Sequence, residues 1–128
     1  MPKERKVGLI DGKFYPCYIK HVCVSTQAPE DDEKHYIEPI SYSGSKDEAY
    51  DKILKIVNSM KRTKILEQKD NYIHTMFTTA LFRFKDDVEF LFDDNKKIIH
   101  FRSQSRMGGY DWNANRNRME KIKVLYKK

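Results

Sequence analysis

Residues 72–105, YIHTMFTTALFRFKDDVEFLFDDNKKIIHFRSQS, decide the fold. Three runs rich in β-branched and aromatic residues, 72–84, 87–93 and 97–105, are separated only by the polar connections KDD and DDNK. A fourth such run, TKILEQ at 63–68, precedes them across KDN. Parallel strands need a crossover of a dozen or more residues, so connections this short predict consecutive antiparallel hairpins.

Helical signals flank these strands. In SKDEAYDKILKIVNSMK, 45–61, Ser45 and Glu48 have capping-box spacing, and Asp47 and Glu48 suit the positive end of a helix dipole. Ala49, Ile53, Val57 and Met60 form one apolar stripe, widened by Tyr50 and Leu54. Helical spacing returns near Asn113, with Asn115, Met119, Ile122 and Tyr126 on one face. HYIEPIS, 35–41, reads as a short strand whose Pro39 argues for an edge. Residues 1–34 read as an irregular segment packed on or beside the domain, broken by Gly8, Gly12 and Pro16 and ending in the polar loop APEDDEK. The expectation is α+β: a single domain over 1–128 in the order β-α-β-β-β-β-α. A twisted antiparallel sheet of four to five strands has helices 45–61 and 113–126 on one face, because that arrangement covers both apolar stripes.

A chain of 128 residues can bury a core without metal or disulfide support. No apolar run is long enough to span a bilayer, and MPKERKVGLI lacks the apolar run of a signal peptide, so the expected location is cytoplasmic. The net charge of +6 is unevenly spread: residues 1–94 hold 15 Lys and Arg against 17 Asp and Glu, whereas residues 95–128 hold 10 against Asp111 and Glu120 alone. The last quarter therefore carries a positive field that draws anions.

The densest part of that field is FRSQSRMGGYDWNANRNRMEK, 101–121. Strand alternation puts His100, Arg102, Gln104 and Arg106 on one face, and Ile99, Phe101, Ser103 and Ser105 on the other. Two arginines beside a histidine and an amide suit bidentate binding of a carboxylate or phosphate. Asn115, Arg116 and Arg118 open the following helix, whose free N–H groups also favour an anion. The competing expectation is internal neutralisation. Asp87 and Glu89 share a face across a hairpin from His100 and Arg102, and Asp111 is a partner for Arg106 or Arg116. Gly108-Gly109 supplies positive φ at the strand-to-helix turn, Asp111 or Asn113 caps the helix, and Trp112 packs beneath it.

Cys17 and Cys23 enclose five residues. They form a disulfide in an oxidising compartment or remain thiols in the cytosol, where His21 is placed to activate Cys23. With His21 and His35 they fit no standard zinc spacing. His74 reads as a packed face residue. No Ser-His-Asp arrangement, HExxH or phosphate loop is present, so no cofactor or metal is implied. Asp86, Asp87 and Glu89 form a potential acid/base set. The basic helix, with Arg116, Arg118, Lys121, Lys123, Lys127 and Lys128, offers weak phosphate contacts. It lacks interleaved aromatics, so no dedicated nucleic-acid role is expected.

Taken together, four places resemble a known family. They are Cys17 and Cys23 followed by CVST, the helix start SKDEAY, FKDDVEF at 84–90, and RSQSRMGGYDWNANRNRME at 102–120. The chain is similar to the conserved bacterial and plastid proteins grouped as Domain of Unknown Function 1499. Their pattern R-S-x-S-R-x-G-x-x-D-x-G-x-N-R-x-R-[IV]-E is met in register by Arg102, Ser103, Ser105, Arg106, Gly108, Asp111, Asn115, Arg116, Arg118 and Glu120. Asn113 stands where that family has glycine, and Lys20-His21-Val22 replaces a proline-rich approach to Cys23. The resemblance implies no established activity, and many proteins so resembled are exported or membrane-anchored.

Two functional expectations follow. The first is a binding or scaffold module that holds a small anionic or amphipathic ligand between sheet and basic helix, anchored by Arg102, Arg106, Arg116 and Arg118, with His100 and Asn115 as further contacts. The second is an enzyme in the same pocket, with Glu89 or Asp87 as base and Cys23 or His100 assisting. A protein-interaction domain whose arginines are purely structural is the third possibility. Oligomeric state is not legible.

Overall fold

The computed structural model describes residues 6–17, 22–106 and 113–128. Its elements are β1 (Leu9–Ile10), β2 (Lys13–Phe14), β3 (Cys23–Ser25), β4 (Ile40–Ser41), α1 (Lys46–Ser59), β5 (Thr63–Lys69), β6 (Tyr72–Thr78), β7 (Lys85–Asp93), β8 (Ile98–Ser105) and α2 (Ala114–Lys127). One sheet runs β3-β8-β7-β6-β5, with β4 also pairing β8, and every pairing in it is antiparallel. The fold is α+β, as the hairpin spacing predicts. Its sheet has six strands because β3 joins it.

Local chemistry sets the helices. Ser45 Oγ accepts from the Glu48 amide at 3.1 Å, and Glu48 Oε1 accepts from the Ser45 amide at 3.1 Å. A cap of this kind stabilises a helix by about 1 kcal/mol. Ala49, Ile53, Ile56 and Val57 of α1 are buried, as are Asn115, Met119, Ile122 and Tyr126 of α2. Both stripes close over one face of the sheet, on Val24, Ile73, Phe77, Val88, Phe90, Phe92, Ile99 and Phe101. These residues form the main core.

The opposite face is covered by the chain's own beginning. β1 and β2 form a hairpin through Asp11-Gly12, both at positive φ (53° and 76°), as a two-residue loop of type I′ requires. Phe14 packs on Tyr72 and Leu91, and a disulfide from Cys17 to Cys23 ties the segment to β3.

Strand boundaries differ from expectation in several places: the β1–β2 hairpin lies within the segment read as irregular, and β7 begins at Lys85 rather than 87. β3 lies in a segment read as irregular, since three residues carry no detectable alternation. Of 35–41 only Ile40–Ser41 joins the sheet, although Tyr36 makes an isolated bridge to Ser25. β6 stops at Thr78 rather than continuing to 84. The Thr79 amide donates to the Phe84 carbonyl at 2.8 Å, and the Phe84 amide to Thr79 Oγ1 at 2.9 Å, closing a tight apolar loop.

Candidate functional site

The β7–β8 register sets Glu89 opposite Arg102, Asp87 opposite Gln104 and Leu91 opposite His100. Beneath residues 6–17, Arg102 Nη1 donates to Glu89 Oε1 at 3.0 Å and to the Lys6 carbonyl at 3.1 Å. Its Nη2 donates to Gln104 Oε1 at 2.8 Å and to the Pro16 carbonyl at 3.2 Å. Glu89 Oε2 accepts from the Tyr72 hydroxyl at 2.6 Å and the Gly8 amide at 2.8 Å. Burial, reinforced by the Glu89 charge, pushes the Tyr72 phenol far above its ordinary pKa, so it stays a donor. Alongside, Arg106 grips Asp87 through Nε (3.2 Å) and Nη2 (3.1 Å), and His74 Nε2 lies 2.8 Å from the same carboxylate.

A second polar cluster lies on the other face, under α2. Arg118 Nη2 donates to Asp86 Oδ2 at 2.6 Å, and its Nη1 reaches Asn115 Oδ1 and Ser103 Oγ at 2.9 and 3.1 Å. Asn115 Nδ2 donates to Ser105 Oγ at 3.0 Å and to the Val22 carbonyl at 3.2 Å, so one amide joins α2, β8 and the approach to β3. The Arg118 guanidinium also sits over the Phe77 ring, 5.0 Å from its centroid. The second carboxylate oxygen of Asp86, Oδ1, is buried without a hydrogen bond from the described residues.

Arg116 turns elsewhere. Its Nη2 collects the carbonyls of Glu33, Lys34 and Tyr36 at 3.2, 3.3 and 2.9 Å, holding the loop before β4 against α2. His100 Nδ1 is 2.8 Å from Thr26 Oγ1. Burial lowers the imidazole pKa below its ordinary value. It borders a cleft of about 550 Å³ in which Lys13, Lys46 and Lys96 are mixed with Asp70, Asp93 and Asp94.

A different cleft, of about 700 Å³, opens between the end of α1, the end of β6 and the exposed side of α2. Met60, Phe77 and Leu125 give it apolar surface, and Lys61, Arg62, Arg118 and Lys121 line it with positive charge. Among the described residues no carboxylate lines it. Lys61, Arg62 and Lys121 are exposed, and none takes part in an ion pair among the described residues.

A model of the family described as Protein of unknown function (DUF1499) matches residues 13–124. The chain belongs to this family. The match runs from β2 into the last turns of α2, so the arginines of both clusters and the cleft's lining residues other than Leu125 lie within the DUF1499 region. No curated protein matches the chain.

In this DUF1499 domain the sequence-selected residues fall into four separate places. Arg102 and Arg106, with Glu89 and Asp87, lie on the sheet face away from the helices, Arg102 and Glu89 under the N-terminal segment. Asn115 and Arg118 lie under α2, Arg116 on the 33–36 loop, and His100 beside Thr26. Only Arg118 lines the cationic cleft. Cys17 and Cys23 are joined, so neither presents a thiol. The assignments made to Gly108, Gly109, Asp111, Trp112 and His21 lie outside the described residues. Asn113 has the left-handed backbone that a glycine position allows (φ 62°), but its side chain makes no capping bond to α2. Among the described residues no group of three or more His, Cys, Asp or Glu side chains could hold a metal, and no helix is long and apolar enough to cross a membrane.

Proposed function

We propose that this DUF1499 domain is a binding module for a small amphipathic anion, taken into the cleft between α1, β6 and α2. One observation carries the reading: Lys61, Arg62 and Lys121 converge with Arg118 around Met60, Phe77 and Leu125, with no carboxylate among the described lining residues. Specific small-molecule sites have volumes of roughly 300–1,000 Å³ and pair an apolar lining with a few polar anchors. Lys61 and Arg62 also complement the negative end of α1, a reason for being there without any ligand. Lys121, in the middle of α2, has no such reason.

The enzyme reading has less support. Of its two candidate bases, Glu89 is sealed against Arg102 and Tyr72 and Asp87 is held by Arg106 and His74, while Cys23 is in a disulfide and His100 lies apart beside Thr26. The disulfide also favours an oxidising compartment over the cytoplasmic location expected from the sequence.

The test is calorimetric titration with octyl phosphate, octyl glucoside and inorganic phosphate, on wild type and on Lys61→Glu with Lys121→Glu. Octyl phosphate binds wild type saturably, neither half-ligand matches it, and the double variant weakens it by about tenfold or more, since hydrogen bonds to charged groups are lost. Equal binding of octyl phosphate by wild type and variant contradicts the reading.

A further inference from the structure

The connection between β6 and β7 carries the two most exposed large apolar side chains of the described residues, Leu81 and Phe82, with the exposed Phe84 two positions on. Leu81 is 80 % exposed, Phe82 59 % and Phe84 45 %. Single exposed hydrophobics are ordinary, but three within four residues at the tip of a hairpin gain nothing from folding in water. The tip is also built rather than slack. Thr79 and Phe84 close it with two hydrogen bonds, and the Phe82 and Phe84 rings stack with centroids 5.4 Å apart. Arg83 turns the chain with a positive φ of 58°, a conformation non-glycine residues adopt at some cost.

Among the described residues the exposed charge around the tip has one sign. Arg83 lies within it, Lys85 begins β7, and Arg62 is held at its base by an Nε bond to the Thr78 carbonyl at 3.1 Å. All three are exposed. The nearby carboxylates turn inward instead. Asp86 and Asp87 are 1 % and 2 % exposed, neutralised by Arg118 and Arg106. An apolar protrusion ringed by cations, with its own acids withdrawn, is complementary to a surface that is negative outside and apolar just beneath.

We infer that the β6–β7 tip docks on an anionic lipid bilayer. Leu81, Phe82 and Phe84 enter the boundary between headgroups and acyl chains, and Arg62, Arg83 and Lys85 lie against lipid phosphates and carboxylates. Apolar burial and attraction to anionic lipid together set the strength of such interfacial binding. The tip is convex, so a protein partner would need a matching hollow, whereas a bilayer needs none. This inference does not depend on the cleft holding a ligand, although Arg62 borders both.

The experiment is co-sedimentation of the full chain with phosphatidylcholine vesicles, with or without phosphatidylserine. Wild type, Leu81→Ser with Phe82→Ser, and Arg83→Glu with Lys85→Glu are compared, and sedimentation velocity without lipid is run alongside. Wild type binds the phosphatidylserine vesicles, releases them as salt rises, and binds pure phosphatidylcholine at least about tenfold more weakly. Each double variant loses about tenfold or more while keeping wild-type circular dichroism, since the changed side chains are exposed. No binding to phosphatidylserine vesicles at low salt overturns the inference, as does undiminished binding by the serine variant. Self-association of wild type that the serine variant abolishes also overturns it, assigning the tip to a second copy of the chain.

Discussion

Glu89 and Arg102 stand directly opposite each other in the β7–β8 ladder, 3.0 Å apart between Oε1 and Nη1, with side chains 0 % and 1 % exposed. Exposed cross-strand ion pairs contribute little, but here both charges have lost their water. The Tyr72 hydroxyl, the Gly8 amide, Gln104 and the Lys6 and Pro16 carbonyls replace it. The N-terminal segment is therefore part of the pair's solvation.

Arg102→Met leaves Glu89 charged, buried and without its cation. The expected loss of stability is about 3–5 kcal/mol by urea unfolding. Combining it with Glu89→Gln recovers much of that loss. A double variant no more stable than Arg102→Met alone contradicts the coupling.

Asn115 is expected to be structural in a different way. Asn115→Ala strips partners from Ser103, Ser105 and the Val22 carbonyl, which costs about 1–3 kcal/mol. The exposed neighbour Asn117, changed to Ala, stays within about 0.5 kcal/mol of wild type. Thermal unfolding of the two variants side by side separates a buried joint from a surface amide.

The Cys17–Cys23 bond closes a short loop and pins the segment that covers Arg102. Its reduction costs roughly 2 kcal/mol on chain-entropy grounds. Amide exchange gives a local readout: the Gly8 amide, bound to Glu89 in the oxidised protein, loses protection on reduction before the β7 amides do. Simultaneous loss in both places contradicts a separable strap.

His100 gives the pH dependence a definite sign. Burial lowers its folded pKa below the ordinary 6.5, so the unfolded chain takes up the proton first. Its contribution to stability is present above pH 6.5 and lost as pH falls from there through the folded pKa. Unfolding midpoints measured down to pH 5 decline for wild type and decline less for His100→Asn. Equal slopes remove His100 as the cause. A further decline sets in as pH falls through the lowered carboxylate pKa values. Asp94, held low first by the Lys97 ammonium and then by the Tyr42 hydroxyl, is protonated there.

The strand core was legible because turns of a few residues leave an antiparallel sheet little choice, and the capping box and apolar stripes fixed both helices. Alternation put Asp87 and Glu89 on the face of His100 and Arg102, and the ladder register then set Glu89 opposite Arg102. Alternation could not say which side of the sheet the helices would take, and that choice buried Arg102 under the N-terminal segment and left Arg106 half-buried against Asp87. Arg118 and Asn115 went to the other face with Ser103 and Ser105. β3 was too short to announce itself, and the apolar run 79–84 imitated a strand while forming a loop. Lys61 reads only as the last residue of the helix 45–61, and Arg62 carries no reading of its own. Their approach to Lys121 comes from the packing of α1 beside α2, which no local pattern encodes.

The most direct test of the binding account is a titration of the ¹⁵N-labelled protein with octyl phosphate, followed by amide chemical shifts. The account predicts saturable shifts concentrated at Lys61, Arg62, Thr78, Asn117 and Lys121, around the cationic cleft. Saturable shifts centred instead on His100 and Thr26, or only weak unsaturated shifts spread over the surface, would contradict it.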